Sequence, residues 1–278
     1  MKHVTPKAVY VLFSMLVPVL LSLSCAGGGG AHGVQGNETQ APVPAGAERI
    51  LFLHHSTGEL VWGGGVPQAL KAYNSSHGTR YTITERAYPD SPYPWDNYPY
   101  DYWNLWVAHK GTATDQNQDN LDMLTRNYDV IVFKHCFPVS EIEPDQGQAS
   151  ASSPTKSLQN YYLQYKDLKT RLREFPAKKF IVWTGAALRQ ADTTVESATR
   201  AKTFFDWVIN TWDEKGDNIF VWDFYALETE GGLYLTDANA SSDSHPGNAF
   251  CQRVAPFFVN RLVDVIEGRG DSSSLMGN

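Results

Sequence analysis

The sequence has little positive charge and little charge overall. Its 278 residues include 23 Lys and Arg against 30 Asp and Glu, which gives a formal net charge of −7, and only 19% of the chain is charged. A protein that binds nucleic acid through its phosphates needs a basic surface, so this balance argues against a nucleic-acid partner. Hydrophobic residues still make up 42% of the chain. That content can build a core and excludes an intrinsically disordered chain.

The chain also lacks an apolar run long enough to span a membrane. The longest run, residues 8–23, falls short of the ~20 residues that a transmembrane helix needs. Lys2 and Lys7 precede the run, and the small residues 24–26 follow it. This pattern predicts a secretory signal peptide over residues 1–25. We therefore expect an exported protein of the periplasm or the cell surface.

Cys25, directly after the apolar run, resembles the lipidated cysteine of bacterial lipoproteins, although Ser22 stands where that pattern has Leu. The resemblance implies a lipid anchor at Cys25 as the chain's only link to a membrane. The alternative is ordinary cleavage after Ala26, which would release the protein. Residues 26–47 are rich in Gly, Pro and Ala and predict a flexible tether. The folded domain is then expected over residues 48–267, with a disordered tail over 268–278.

Cysteine is scarce, with three in the whole chain. Once Cys25 is set aside, Cys136 and Cys251 remain. An even pair in an exported protein predicts a disulfide, because oxidising compartments favour this bond. The alternative is two free, buried thiols.

Five strand-like runs alternate with segments of helical periodicity. Four are short and mostly apolar, residues 49–54, 129–133, 179–183 and 218–222, and one, residues 80–86, alternates between polar and apolar residues. Such alternation predicts an α/β fold, a three-layer sandwich with a central five-stranded parallel sheet of flavodoxin-like type. Sites in open sheets of this kind lie outside the carboxyl ends of the strands. The segments that follow each strand are therefore the candidates for function.

Polar residues suited to nucleophilic catalysis lie in two of these segments. Ser56 follows the first strand, and Asp243 and His245 follow the fifth. A serine needs a nearby base to become a useful nucleophile, and a histidine needs an acceptor on its second nitrogen to hold the right tautomer. Since the sheet brings both segments to one rim, these three residues form a candidate catalytic site.

The same residues carry a resemblance to a known family. The block Ile50–Ser56 and the block Asp243–Pro246 resemble the first and last motif blocks of the SGNH (GDSL-like) hydrolases. The resemblance implies an SGNH-like α/β domain in which Ser56 is the nucleophile, His245 the general base and Asp243 the orienting acid. Two departures stand out. His54 and His55 precede the serine where the family has Gly-Asp, and Asp243 lies two residues before the histidine where three are usual.

The family's oxyanion-hole residues are also missing. The family completes this hole with a Gly after the second strand and an Asn after the third, and neither is present at those places. The Ser56 backbone N–H is one expected donor. Gly111, His135 or a glycine of residues 63–65 is a candidate for the second.

Aromatic residues concentrate between the second and third strands. Residues 88–106 hold eight Tyr and Trp side chains together with four prolines. The prolines exclude a long helix or a central strand and predict a stiff surface loop over the rim. Flat amphipathic rings suit sugar rings, so we expect a substrate platform formed by Trp95, Tyr98, Tyr100 and Trp103. The alternative is a structural cover in which the rings pack against one another.

Together these features predict an exported serine esterase that removes acyl groups, acetyl among the candidates, from a carbohydrate or another small ester. No cofactor and no metal are expected, and the sequence does not predict an oligomeric state. One alternative is a non-catalytic, envelope-anchored glycan-binding protein on the same fold. A second is a zinc-dependent hydrolase, because zinc favours nitrogen and carboxylate ligands. Its candidate ligands are His54, His55, His135, Asp243 and His245.

Overall fold

The computed structural model describes residues 47–111 and 113–278. The predicted signal peptide, Cys25 and all of the predicted tether except Ala47 lie outside these residues. Within them, every helix is too short or too polar to cross a membrane.

A five-stranded parallel sheet with helices on both faces forms the centre of the molecule, which confirms the predicted fold class. The spatial order of the strands is β2-β1-β3-β4-β5, and all four pairings are parallel. The strands are β1 Arg49–His54, β2 Thr82–Ala87, β3 Val130–Phe133, β4 Lys179–Trp183 and β5 Ile219–Trp222. Each lies within two residues of a predicted run.

Alternate residues of each central strand pack into two separate hydrophobic cores, one on each face of the sheet. In β1, Ile50 and Phe52 pack into the core on one face of the sheet, and Leu51 and Leu53 pack into the core on the other. Because successive strand side chains point to opposite faces, a strand covered on both sides must be apolar throughout. This requirement explains the continuous apolar runs in the sequence.

Helices cover the two faces in separate groups. On one face, α1 Ser56–Gly63 and α2 Val66–His77 pack with the long C-terminal helix α8 Asn248–Ile266. On the other face lie α3 Pro99–Trp103, α4 Leu121–Asn127, α5 Leu158–Arg173 and α6 Val195–Trp207. The short helix α7 Phe224–Thr229 follows β5 directly. This layering makes the three-layer sandwich that the sequence predicts.

The aromatic segment differs from its prediction as a surface loop. It contains α3 and a π-helical turn, Asn104–Ala108. Tyr88, Tyr102 and Trp106 are fully buried and contact one another and Phe133 of β3. Buried aromatic rings contribute more apolar area than any other side chain, so most of this segment stabilises the core. The alternative of a structural cover therefore describes it better.

The C-terminal residues also differ from their prediction as a disordered tail. The Met276 carbonyl accepts a hydrogen bond from Trp222 Nε1 at 2.9 Å, and the Gly270 carbonyl accepts one from Arg261 Nη1 at 2.6 Å. Arg261 Nη1 also donates to Ser273 Oγ at 2.9 Å. Both donors are buried, and the loss of their partners in the tail would cost free energy. The tail is held mainly through backbone carbonyl groups, which give no signal in a sequence.

The predicted disulfide between Cys136 and Cys251 is wrong for this structure, in which both cysteines are free and buried. Cys251 lies in the first turns of α8, and its sulfur contacts the Pro246 carbonyl at 3.9 Å. Cys136 follows β3, and its sulfur contacts Ser56 and Lys134. A disulfide requires two Cβ atoms that face each other at close range. Here the two thiols have other partners.

We predict that the folded domain carries two thiols. A full chain with Cys25→Ser, purified without reductant, unfolded and alkylated at once, should gain two adducts by mass spectrometry, one on Cys136 and one on Cys251. A protein that gains none until it is reduced would contradict the structure.

Candidate active site

The candidate site lies where the direction of the sheet connections reverses. From β1 the chain passes through α1 and α2 to β2 on one side, whereas β3 pairs with β1 on the other side. A crevice forms at such a switch point, outside the carboxyl ends of the two strands. Ser56, two residues after β1, is the first residue of α1. Its Oγ lies 3.1 Å from Sγ of Cys136, which follows β3.

A glycine allows α1 to start this close to the strand ends. A Cβ added to Gly58 would lie 2.4 Å from Cβ of His54 and 2.9 Å from Cδ of Lys134. No side chain larger than hydrogen fits there unless the helix moves. Gly58 therefore fixes the distance between the first turn of α1, which carries Ser56, and the ends of β1 and β3. Gly58 was not among the residues that the sequence pattern marked as functional.

A second glycine brings α1 close to the helix that follows the candidate base. A Cβ added to Gly64 would lie 2.5 Å from the carbonyl oxygen of Cys251 in α8. Since α8 begins three residues after His245, this close packing of α1 against α8 also brings Ser56 and His245 to the same rim.

Asp243 orients His245. The Nδ1 of His245 lies 3.0 Å from Oδ2 of Asp243, and the backbone N–H of His245 donates to the same carboxylate at 3.1 Å. Ser241 Oγ adds a third hydrogen bond at 2.8 Å. The hydrogen bond from His245 lowers the pKa of Asp243 to about 2. An ionised Asp243 holds a proton on Nδ1 and leaves Nε2 as the basic nitrogen, the tautomer that a general base needs.

The loop that carries Asp243 and His245 is tied to neighbouring segments. The buried Ser244 donates to Asp192 at 2.6 Å and accepts from the Arg189 backbone N–H at 3.0 Å. The His245 ring packs edge-on against Phe137, with centroids 5.0 Å apart. Phe137 immediately follows Cys136, so the segment after β3 contacts both Ser56 and His245.

One cavity of about 810 Å³ unites the three predicted catalytic residues. Ser56, Asp243 and His245 line it, although no hydrogen bond joins Ser56 to His245 in the described part of the chain. The remaining lining residues are Glu59, Leu60, Trp62, Gly63, Glu85, Ser241, Ser242, Pro246 and Asn248. Ser56, Glu59, Leu60 and Gly63 follow the i, i+3, i+4, i+7 spacing of one helix face. This spacing is present in the sequence, but it indicates one helix face toward the site only once the helix is known to begin at Ser56.

The other histidines near the rim have separate partners. His54 Nε2 lies 2.9 Å from Glu85 Oε2, and His55 Nε2 bonds to the Pro89 carbonyl. Burial, with a smaller effect of Lys134, lowers the pKa of His54 to about 3, so its contact with Glu85 is a hydrogen bond of a neutral ring and not an ion pair. Among the described residues, no three His, Cys, Asp or Glu side chains are grouped so that they could hold a metal ion. The histidine cluster of the zinc hypothesis is thus not brought together.

Of the non-serine candidates for the oxyanion hole, Gly63 lines the cavity, whereas Gly111 and His135 lie elsewhere. The Gly111 N–H donates to Asp122 Oδ2 at 2.7 Å, so it is already occupied. His135 is fully buried and its Nε2 bonds to the Tyr165 hydroxyl at 2.8 Å. Neither lines the cavity. The Ser56 N–H remains a candidate oxyanion donor, because the first N–H groups of a helix have no acceptor within the helix.

Only one of the four predicted platform residues is well exposed near the site. Trp95 is 38% exposed and stacks on His55, the neighbour of Ser56, with ring centroids 3.7 Å apart. Tyr98 is 6% exposed and donates to the Pro154 carbonyl, so its prediction as a platform residue is wrong. Tyr100 and Trp103 are half-buried and pack against the core, and Trp103 Nε1 donates to Asp167 of α5 at 2.9 Å. Trp62, which sequence reasoning missed, lines the cavity instead.

Comparisons with known proteins give similarity of structure only. No protein-family model matches the chain, and no curated protein matches it. Among solved structures, an acetyl xylan esterase is similar with 13% identity and a TM-score of 0.43 over 74% of this chain and 96% of its own. A gut microbial diltiazem-metabolizing enzyme is similar with 14% identity and a TM-score of 0.48 over 83% of this chain and 49% of its own. At these identities and TM-scores, neither similarity assigns an activity to this chain.

We predict that Gly58→Ala destabilises the protein, because a methyl group there overlaps His54 and Lys134. Overpacking of this kind costs about 1–3 kcal/mol of the free energy of unfolding, which denaturant titration measures. Gly63→Ala in the same helix is the matched control, since a Cβ there meets no atom within 4 Å. Equal stability of the two variants would show that the close approach of α1 does not constrain the fold.

Proposed function

We propose that the chain is an exported serine esterase of SGNH type that uses Ser56, His245 and Asp243. One observation carries the proposal. Residues from opposite ends of the folded domain line one cavity, and the Asp243–His245 pair has the geometry and charge that a general base requires. A serine at a helix start and an Asp-His turn before a helix each have ordinary structural roles, so the proposal rests on their meeting in one cavity.

The reaction that this geometry supports is acyl transfer to Ser56. The hydroxyl turns from Cys136 toward His245 Nε2, loses its proton to that nitrogen and attacks the ester carbonyl carbon. His245 then returns the proton to the leaving alcohol. Water, deprotonated by His245, then attacks the acyl-serine, and His245 returns that proton to Ser56 Oγ as the acid is released. Catalytic hydrogen bonds are often long or unformed before substrate binds, so the present Ser56–Cys136 contact is compatible with this sequence.

The backbone of α1 supplies stabilisation for the negative oxygen that forms in the intermediate. The Ser56 N–H is at the N-terminus of the helix, where unpaired N–H groups and the helix dipole favour negative charge. The serine thus provides both the nucleophile and one oxyanion donor.

A carbohydrate ester is the substrate that we propose. The support is the composition of the cavity, where Trp62 and Leu60 offer apolar surface and Glu59, Ser242 and Asn248 offer hydrogen-bonding groups. The exposed Trp95 does not line this cavity but stacks on His55, the residue that precedes Ser56. Sugar rings present apolar faces fringed by hydroxyls, and this mixture matches them. Export through the signal peptide and anchoring at Cys25 belong to the same proposal and are supported by the sequence pattern.

One observation favours the alternative of a non-catalytic glycan-binding protein on this fold. The Ser56 hydroxyl contacts Cys136 and not the imidazole, and neither Gly111 nor His135 provides a second oxyanion donor. A binding protein would keep the cavity and Trp95 without turnover.

Hydrolysis of a short neutral ester tests the enzyme proposal. We predict that Ser56→Ala lowers kcat for a nitrophenyl acetate by at least about 10³-fold with unfolding stability unchanged, because the nucleophile is lost. Ser75→Ala on the exposed face of α2 is the control. A wild-type protein without turnover, or a Ser56→Ala variant with full turnover, would favour the binding protein or another mechanism.

Paired tryptophan variants test the carbohydrate proposal. We predict that Trp95→Ala raises KM for a fully acetylated disaccharide about fivefold and leaves KM for nitrophenyl acetate unchanged, since stacking on a sugar face contributes roughly 1 kcal/mol. Trp103→Ala should instead reduce stability by roughly 2 kcal/mol, because it removes a packed ring and a hydrogen bond to Asp167. If Trp95→Ala changes KM equally for both esters, Trp95 does not bind sugar.

A further inference from the structure

Two polar groups lie within hydrogen-bond distance of the sulfur of Cys136. Lys134 Nζ donates to Sγ at 3.3 Å, and Ser56 Oγ lies 3.1 Å from it. Ser56 is also the first residue of α1. A neutral thiol is a weak hydrogen-bonding group, and a nearby lysine favours its thiolate form. Convergent N–H and O–H groups at a helix N-terminus are a typical environment of an anion.

Lys134 requires a counter-charge at this place. Its side chain is fully buried, and among the described residues Cys136 Sγ is the acceptor that its ammonium group contacts. A buried cation without an anionic partner is costly, so a thiolate on Cys136 is the state that satisfies both groups. Burial raises the pKa of the Cys136 thiol, but Lys134, the Ser56 hydroxyl and the Thr57 N–H together hold it below the ordinary value of 9.0.

The other titratable groups around Lys134 and Cys136 are poor counter-ions for the lysine, because they are mostly neutral near neutral pH. Burial raises the pKa of Glu228 in α7 to about 8, so this carboxyl is mostly protonated at neutral pH and is a poor counter-ion. At the end of β1, burial lowers the pKa values of His54 and His55, which keeps both rings neutral. Burial raises the pKa of Tyr102 in α3, which stays neutral as well.

We propose that Cys136 and Lys134 form a buried thiolate–ammonium pair that positions the Ser56 side chain. The sulfur accepts the serine O–H in the resting enzyme and fixes Oγ at the edge of the cavity. Proton transfer to His245 takes place once Ser56 Oγ and His245 Nε2 come within hydrogen-bond distance of each other in the complex with substrate. Cys136 is thus a positioning residue for the proposed esterase, and its effect on turnover rests on that proposed function. The ion pair itself does not depend on the proposed function.

The ion pair is tested first, without any assay of activity. In the full chain with Cys25→Ser and Cys251→Ser, Cys136 is the only thiol. Thiolate absorbs in the ultraviolet, and we expect this absorbance to appear with a midpoint below pH 9.0. Adding Lys134→Met should move the midpoint upward, because the ammonium group that favours the thiolate is gone. No thiolate below pH 9.0, or a midpoint that Lys134→Met leaves unchanged, would overturn the ion pair.

The reverse single-thiol protein is the matched control. Burial raises the pKa of Cys251 to about 12, so a chain that keeps Cys251 and carries Cys25→Ser and Cys136→Ser should show no thiolate over the same pH range. Thiolate absorbance there would mean that the signal is not specific to the Lys134 pair, which also counts against the proposal.

Kinetics tests the positioning role. Cys136→Ser should lower kcat for nitrophenyl acetate about tenfold or more with KM nearly unchanged, because small displacements of a nucleophile are costly. In wild type, kcat should also fall as the pH drops through the thiolate midpoint, and this step should vanish in Cys136→Ser. Full kcat in a folded Cys136→Ser protein would overturn the positioning role. If Ser56→Ala also retains full turnover, the proposed esterase mechanism fails instead.

Discussion

The site depends on how closely the first turn of α1 approaches the carboxyl ends of β1 and β3. At Gly58 the helix passes so near His54 and Lys134 that a methyl group does not fit. This contact places Ser56 at the switch point of the sheet and its N–H at the positive end of a helix. Gly64 then brings the same helix against α8, which starts just after His245. Two glycines in one stretch of seven residues thus fix the nucleophile and bring its candidate base to the same rim.

Charge around the site follows from burial. Asp243 is exposed, and its hydrogen bonds with His245 keep it ionised, which suits an orienting carboxylate. On the other side of Ser56, the sheet ends bury Lys134, Cys136 and Glu228 where water cannot compensate a charge. A charge buried here needs an opposite charge beside it. Cys136, whose sulfur contacts both Ser56 and Lys134, is the counter-ion that we propose for the lysine. The serine therefore lies between a partly exposed candidate base, His245, and the buried pair of Lys134 and Cys136.

Much of the fold could be predicted from sequence, because continuous apolar runs and helical periodicity reflect burial directly. The strands lie within two residues of their predicted bounds. The sequence did not predict the interactions that depend on backbone atoms rather than on side chains. The tail satisfies Trp222 and Arg261 with carbonyl groups, and Gly58 matters for the absence of a side chain. The pairing of Ser56 with Cys136 was also hidden, since it depends on strand order and not on spacing along the chain.

The central claim is that Ser56 is an activated nucleophile, and the site of reaction with a fluorophosphonate probe tests it most directly. The hydroxyl of an activated serine displaces fluoride from phosphorus and keeps the phosphonyl group, which peptide mass spectrometry locates. The account predicts modification at Ser56 alone, with the rate strongly reduced in His245→Ala. No modification, or modification of other serines at the same rate as Ser56, would contradict it.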